Sequence, residues 1–458
     1  MELWKEGVKH LKYNNFYIIY GLLFLIYIIN ILFDSSVIHL VISWSAVVTL
    51  VMSSFRATNL FRLMGLIFSC AGVYMSLTSG VRWYEIPEQI TSTFPMLIFL
   101  SVLPWMASAF SIGEYDQNLS KIINSKNNQL PELYGKSLTT TYSLVVFINI
   151  SAIYIGQQIL MKKLSGVKES IRNDFIIKTT LRTFSLAAIW SPMEIIVGIT
   201  IDATNISFLE YLPWLLLCSF LMAVIDVKFN KDKLPAVEVS DQSNINKSRL
   251  VKALAKLFFI LFIFFAIIIT ANNIFETTFI LTVSLIILPF TFIWSICMRR
   301  TIIFLKYGWK SWKNYNNNLQ NFVVLFLSLA LFSEGFNKTP MPEILQYVLG
   351  QISDYYLLIF IFITLIYFLM GLIGVHPIAT IAILIEILNP LFDIINPLSI
   401  GLVLIISSLA TSGFTPYGIN AIITVQNLGV SPYYITKKNM PFSILMATTG
   451  ILIAMIVL

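Results

Sequence analysis

The chain has 458 residues, 57% of them hydrophobic and 12% charged, with three cysteines and a formal net charge of +7. A soluble domain keeps roughly a quarter of its residues charged, so this composition excludes an ordinary globular protein. Cys70, Cys218 and Cys297 are scattered within apolar runs, which suits small apolar fillers and excludes a disulfide framework or a thiolate metal site.

Apolar stretches of about 18 residues or more recur along the chain, each long enough to cross a hydrocarbon core of roughly 30 Å as a helix. The first, Phe16 to Phe33, follows a polar segment carrying Lys5, Lys9 and Lys12. It is longer than the apolar part of a removable signal peptide and reads as an anchor. Further spans are predicted over 37–53, 60–79, 93–111, 178–200, 207–226, 252–271, 276–297, 319–337, 397–428 and 440–458. Two more apolar segments, near 140–160 and 355–388, do not fit as single crossings.

Charge sets the orientation. With the N-terminus inside, the cytoplasmic loops collect Arg56 and Arg62, then Lys121, Lys126 and Lys136, then the run from Lys162 to Arg182. Lys228 to Lys256 follow, then Arg299, Arg300, Lys306, Lys310 and Lys313, and finally Lys437 and Lys438. Only Arg82 and Lys338 fall outside, as the positive-inside rule requires. The net positive charge therefore needs no nucleic acid to explain it. The pattern holds only if the two odd segments each enter and leave on one side, the first from the cytoplasm and the second from outside. The fold class expected is thus an all-α polytopic membrane protein with about eleven transmembrane helices and two re-entrant hairpins, N-terminus in and C-terminus out.

The two halves follow one plan. Residues 1–92 are read as N-terminal scaffold helices and 93–226 as a first repeat, with a hairpin near 140–166 and a broken helix near 178–200. Residues 227–318 form a cytoplasmic loop and scaffold helices. Residues 319–458 form a second, inverted repeat with a hairpin over 355–388 and a broken helix over 397–428. Its parts are a span closed by a Glu-Gly-Phe turn at Glu334–Phe336, an amphipathic piece, an arm, the tip Gly374-Val-His-Pro377 and a return arm. A span broken at Ser412-Gly-Phe-Thr-Pro416 and a final span complete it. In the first half the arm Tyr142 to Ile155 leads to a tip at Gly156-Gln-Gln158, with Ser137-Leu-Thr-Thr-Thr141 as a rival, and the break is Trp190-Ser-Pro-Met-Glu194. Amphipathic pieces at 113–125 and 341–352 are read as lying in the interfaces. A proline inside a span frees backbone groups, because it lacks a donor and clashes with the preceding turn. Freed carbonyls can hold a cation, and the N-terminus of the following half-helix attracts an anion. Paired breaks at equivalent points are the sequence mark of a transport site near the midplane.

Three stretches carry a resemblance: Phe332-Ser-Glu-Gly-Phe-Asn-Lys-Thr339, Gly374-Val-His-Pro-Ile-Ala-Thr-Ile-Ala-Ile-Leu384, and Thr411-Ser-Gly-Phe-Thr-Pro-Tyr-Gly-Ile-Asn-Ala421 with Gly429 to Lys438 after it. Together with Ala187 to Glu194 and Ile206 to Pro213, they resemble the ion-transporter superfamily, in particular the divalent-anion:sodium symporters, over about residues 93–458. The resemblance implies a dimeric secondary transporter. The family's Ser-Asn-Thr signature is absent from both tips, which sets a dicarboxylate substrate and sodium coupling in doubt.

An ionisable residue at membrane depth is expensive and marks a functional candidate. Glu194 follows the Ser191-Pro192 break and could carry a coupling proton, since loss of water disfavours a carboxylate; the plainer role is capping freed amides. His376, beside Gly374 and Pro377, belongs to a residue type that titrates near neutral pH and could relay protons or bond the broken backbone. Glu386 lies in the return arm and reads as a solvated or scaffold residue. Gly156, Gln157, Gln158, Ser412, Gly413, Thr415, Pro416 and Asn420 could line a binding site, although polar residues also glue membrane helices together. The function expected is secondary transport of a small anionic solute by an elevator-like, alternating-access mechanism in the bacterial cytoplasmic membrane. H+ or Na+ would be the coupling ion, with no cofactor or metal. Membrane lipid and a second copy of the chain are the expected partners, and nucleic acid is not. No Walker motif is present to use ATP. A lipid-carrier flippase is an alternative. A membrane enzyme on lipid-linked sugars is another, but the short outer loops hold only Arg82 and Lys338 as basic groups.

Overall fold

The computed structural model describes residues 15–115, 128–235, 238–239, 247–351 and 354–458. Lys5, Lys9, Lys12, Lys121, Lys126, Ile352 and most of the expected 113–125 piece lie outside the described residues. The described chain is helical apart from turns and a two-residue antiparallel bridge pairing Asn128 with Val239 and Gln129 with Glu238. In order, the helices are α1 (Phe16–Phe33), α2 (Ser36–Ser54), α3 (Asn59–Thr78), α4 (Phe94–Ile112), α5 (Leu130–Ile148), α6 (Ser151–Lys163) and α7 (Glu169–Ile177). A π-turn, Lys178–Arg182, leads into α8 (Thr183–Ala188), then α9 (Ile195–Thr204), α10 (Phe208–Lys231), α11 (Lys247–Phe275), α12 (Phe279–Cys297), α13 (Thr301–Asn316) and α14 (Gln320–Asn337). The last are α15 (Met341–Gly350), α16 (Tyr356–Ile373), α17 (Pro377–Leu388), α18 (Pro397–Thr411), α19 (Ile419–Leu428) and α20 (Pro432–Val457).

Nine helices among the described residues are long and apolar enough to cross a membrane, or ten when the pair α13–α14, bent by 59°, counts as one span. All except α16 coincide with expected spans. The expected spans 178–200 and 397–428 are each divided, α7–α8 from α9 by residues 189–194 and α18 from α19 by residues 412–418. The turn expected at Glu334–Phe336 is a correction: α14 runs through it to Asn337, because none of those residues stops a helix, and the chain turns only before Pro340.

Two compact units form. The first is formed by the described residues of Met1–Ser108 and Ile287–Ile344. Its tightest pair is α3 with α14, brought together by small residues. A Cβ at Gly72 would stand 2.3 Å from the Leu331 carbonyl oxygen, and one at Gly335 2.4 Å from that of Gly72. Close backbone approach of this kind is what packs helices in lipid, where no hydrophobic drive separates side chains from solvent. Outer faces of α1–α3 present Leu22, Val37, Leu66 and Tyr74, all exposed. Such surfaces would cost about 25 cal/mol per Å² in water and cost nothing against acyl chains.

The second unit is formed by the described residues of Ala109–Ile286 and Leu345–Leu458. Its packing has a two-fold logic. Each half contains a helical hairpin, α5–α6 and α16–α17, whose first arm packs on the first part of its own broken helix, α8 or α18. Each closes with a long helix, α10 or α20, laid against the same element. The second parts of the broken helices cross over: α9 packs on α17 of the other half, and α19 packs on α6. Exchanging the two halves maps each of these contacts onto its counterpart.

Candidate functional site

The first break is built by Pro192, which cannot continue the hydrogen-bond ladder of α8. Ser191 replaces part of that ladder: its hydroxyl accepts from the Met193 amide at 3.2 Å and donates to the Val146 carbonyl at 3.5 Å. Glu194 then sits in extended conformation at the N-cap of α9. The adjoining hairpin turns at Asn149, with φ 45° and ψ −127°, between α5 and α6. The Asn149 amide donates to the Glu194 carboxylate at 3.1 Å and to the Met193 carbonyl at 3.4 Å. Glu194 is 8% exposed, and no ion pair among the described residues involves it. The Asn149 side-chain oxygen is buried without a hydrogen-bond partner. A buried carboxyl at a broken helix is a candidate site for a proton or a bound cation.

This geometry corrects the first tip. Gly156, Gln157 and Gln158 lie in the middle of α6, and Ser137 to Thr141 lie within α5. The turn is Asn149-Ile150. Gly156 is there for closeness: a Cβ on it would lie 3.3 Å from Thr141 Oγ1 and 3.5 Å from Thr180 Cγ2. Gln157 is fully buried and bridges the halves. Its amide donates to Thr180 Oγ1 at 3.2 Å and Thr424 Oγ1 at 2.8 Å, and its oxygen accepts from Asn427 at 2.9 Å. Exposed Gln158 donates to the Asn427 side-chain oxygen at 3.0 Å. Beside this bridge the hydroxyls of Ser137, Thr141 and Thr183 are buried without partners.

The second tip turns at Gly374, whose φ of +100° suits only a residue without a Cβ. His376 is the N-cap of α17: its Nδ1 accepts from the Ile378 amide at 3.2 Å, ahead of Pro377 at the first helical position. The tip lies on its own break, where a Cβ at Gly371 would be 2.6 Å from Thr415 Cγ2 and one at Gly374 would be 3.2 Å from Tyr417. The break places Thr415 and Pro416 in buried positions. Its carbonyls were expected to be free for a cation, and the structure engages them. Asn420 donates to Ser412 O at 3.0 Å, Asn439 to Gly413 O at 2.8 Å, and Thr436 to Phe414 O at 2.7 Å. Glu386 is half-buried on α17.

Sequence reasoning missed a buried charged network behind Gly413. Arg182, assigned to a cytoplasmic loop, lies in the π-turn and is 7% exposed. Its guanidinium donates to Asp226 Oδ1 at 2.6 Å, Asn439 Oδ1 at 2.9 Å and Lys438 O at 2.8 Å. Asp226 also accepts from Tyr134 at 2.6 Å and Asn230 at 2.9 Å. The only sequence signal was an arginine and an aspartate at opposite ends of apolar runs. Asp202, also unremarked, caps α12 by accepting from the Phe279 and Ile280 amides at 2.6 and 3.2 Å, a structural use of a carboxylate at a positive helix end. A small crevice beside α5 is lined by Tyr142, Ser143, Val146 and Phe147, and by Leu257, Phe258 and Leu261; its chiefly apolar wall suits no charged solute.

Residues 139–458 match the family described as the tripartite ATP-independent periplasmic transporter, DctM component. No curated protein matches the chain. Among solved structures, the chain is similar to the crystal structure of the YdaH transporter of Alcanivorax borkumensis, with a TM-score of 0.61 and 13% identity over 86% of this chain and 97% of that one. At that identity the likeness is one of fold. The family that matches is a transporter family other than the divalent-anion:sodium symporters, in keeping with two tips that lack Ser-Asn-Thr.

Proposed function

The chain belongs to the DctM component family of the tripartite ATP-independent periplasmic transporters, and on that premise we propose that it moves a small anionic solute with a proton at Glu194 as the coupling ion. It is a secondary transporter of the cytoplasmic membrane and not an enzyme. Transport in this family draws on ion gradients; the choice of proton is our reading. The observation that carries it is the contrast between the two breaks. Glu194 is buried and bonded to an amide, whereas the carbonyls of Ser412, Gly413 and Phe414 already accept from side chains. Protonation satisfies Glu194 at little cost, because the neutral acid is the form that burial favours.

The two exchangeable halves support a further reading, in which α5–α10 and α16–α20 are inverted repeats whose hairpins enter the membrane from opposite sides. Unpartnered hydroxyls of Ser137, Thr141 and Thr183 are polar groups that a solute could satisfy. The family brings two proteins as partners, a soluble substrate-binding protein and a small membrane component; a homodimer is the alternative assembly.

The test is uptake into proteoliposomes, screening small anions with the candidate binding protein present, under imposed proton or sodium gradients. Wild type should accumulate one of them when the outside is acid, and Glu194→Gln should lose that dependence. Absence of uptake of any anion under either gradient would sink the solute reading. Full proton dependence in Glu194→Gln would remove that residue from coupling.

A further inference from the structure

Helix α13 follows Arg299 and Arg300 and contains no acidic residue. Phe304, Gly308 and Asn316 form its buried face, set against α4 and α1 of the same unit. Trp105 packs where a Gly308 Cβ would be, at 2.4 Å, and Asn316 donates to Ser101 O at 3.3 Å. The rest of the circumference is divided. Ile302, Leu305 and Trp309, at spacings i, i+3 and i+7, form an apolar stripe that is 83%, 45% and 54% exposed. Lys306, Lys310 and Lys313, at i, i+4 and i+7, form a basic stripe directly beside it. Lys313 lies 4.8 Å over the Tyr17 ring, and Trp309 stacks on Trp312 at 5.0 Å, with Tyr17 edge-on to both.

Topology needs basic residues only in number. It does not need them on one face of a helix, nor an apolar stripe alongside. We propose that α13 is an interfacial helix that binds anionic phospholipid. The headgroup phosphates lie against Lys306, Lys310 and Lys313, and the acyl chains lie along Ile302, Leu305 and Trp309. A basic stripe beside exposed aromatic and aliphatic groups is the arrangement by which helices lie in the membrane plane.

Native mass spectrometry of the full-length protein with added phosphatidylglycerol or phosphatidylcholine tests this. Wild type should retain phosphatidylglycerol preferentially. The triple variant Lys306→Gln, Lys310→Gln, Lys313→Gln should weaken that retention on the order of 100-fold, at about fivefold for each lysine near an anionic surface, with phosphatidylcholine unaffected. Replacing the same lysines by arginine should preserve binding. Should the triple variant fail to fold, Lys310→Gln alone, on an exposed side chain, should show the fivefold loss. Equal retention of both lipids by wild type, or unchanged phosphatidylglycerol retention in the glutamine variants, would overturn the proposal. So would competition by inorganic phosphate alone, which would identify a site for free anion.

Discussion

Removing either partner of the Arg182–Asp226 pair should be among the most damaging single changes in the chain. The pair is 2.6 Å long, and its side chains are 9% and 1% exposed. Breaking a buried pair from one side costs about 3–5 kcal/mol, because the survivor is a charge without its counter-ion. The structure orders the two variants. In Arg182→Ala, Asp226 keeps two donors, Tyr134 and Asn230, so the cost should lie near about 3 kcal/mol. In Asp226→Ala, the guanidinium keeps only neutral acceptors, Asn439 Oδ1 and Lys438 O, and the Tyr134 hydroxyl loses its acceptor. Each such orphaned group adds about 1–3 kcal/mol, placing this variant at or above about 5 kcal/mol.

The double variant Arg182→Ala, Asp226→Ala removes both charges, so it should cost less than the sum of the two by about 2–3 kcal/mol. Reversible unfolding in mixed micelles, with the native fraction followed as denaturing detergent is raised, supplies all three free energies. Additivity within about 0.5 kcal/mol, or a cost below about 1 kcal/mol for either single variant, would refute the reasoning. Either result would mean that water reaches the pair.

Two further outcomes follow from particular contacts. If His376 acts as a helix cap, His376→Asn should leave stability close to wild type and His376→Ala should cost about 1 kcal/mol, with uptake in the asparagine variant close to wild type. A Cβ at Gly401 would fall 1.9 Å from the Tyr211 hydroxyl, so Gly401→Ala should cost about 1–3 kcal/mol. Adding Tyr211→Phe should recover only part of it, since the nearest ring carbon is still 2.7 Å away; unfolding midpoints of the three proteins check both statements.

Where proline and glycine punctuate the chain, the architecture was readable in advance. Pro192 and Pro416 stand in the two breaks, and Gly374 with Pro377 makes the second tip, because backbone sterics leave such residues few other roles. The first tip has neither. Asn149 turns the chain at positive φ, a job its short polar side chain can do but one that it does not announce. Gly156 pointed to the wrong place, since a glycine needed for close helix packing looks the same in sequence as one needed for a turn. Composition hid the charged network for a different reason. A basic residue at the end of an apolar run is ordinarily a topological signal, and nothing local distinguishes Arg182, whose acid partner is 44 residues away.

The two halves pack alike but are chemically unlike, and the difference bears on where coupling acts. Behind the second break, Asn439 holds Gly413 O and is itself held by Arg182, so that break is tied into a charged lattice. The first break is tied to its hairpin through Asn149, a non-glycine residue in a sparsely populated backbone region, where strain of about 1–3 kcal/mol is typical. Its hydrogen bond to an ionised Glu194 is worth about 1.5–3 kcal/mol, against about 0.5–1.5 kcal/mol once the acid is neutral. On the proposed coupling, protonation therefore removes an amount of binding comparable to the strain it offsets. On that proposal, a proton at Glu194 acts at the first tip, through the bond from Asn149.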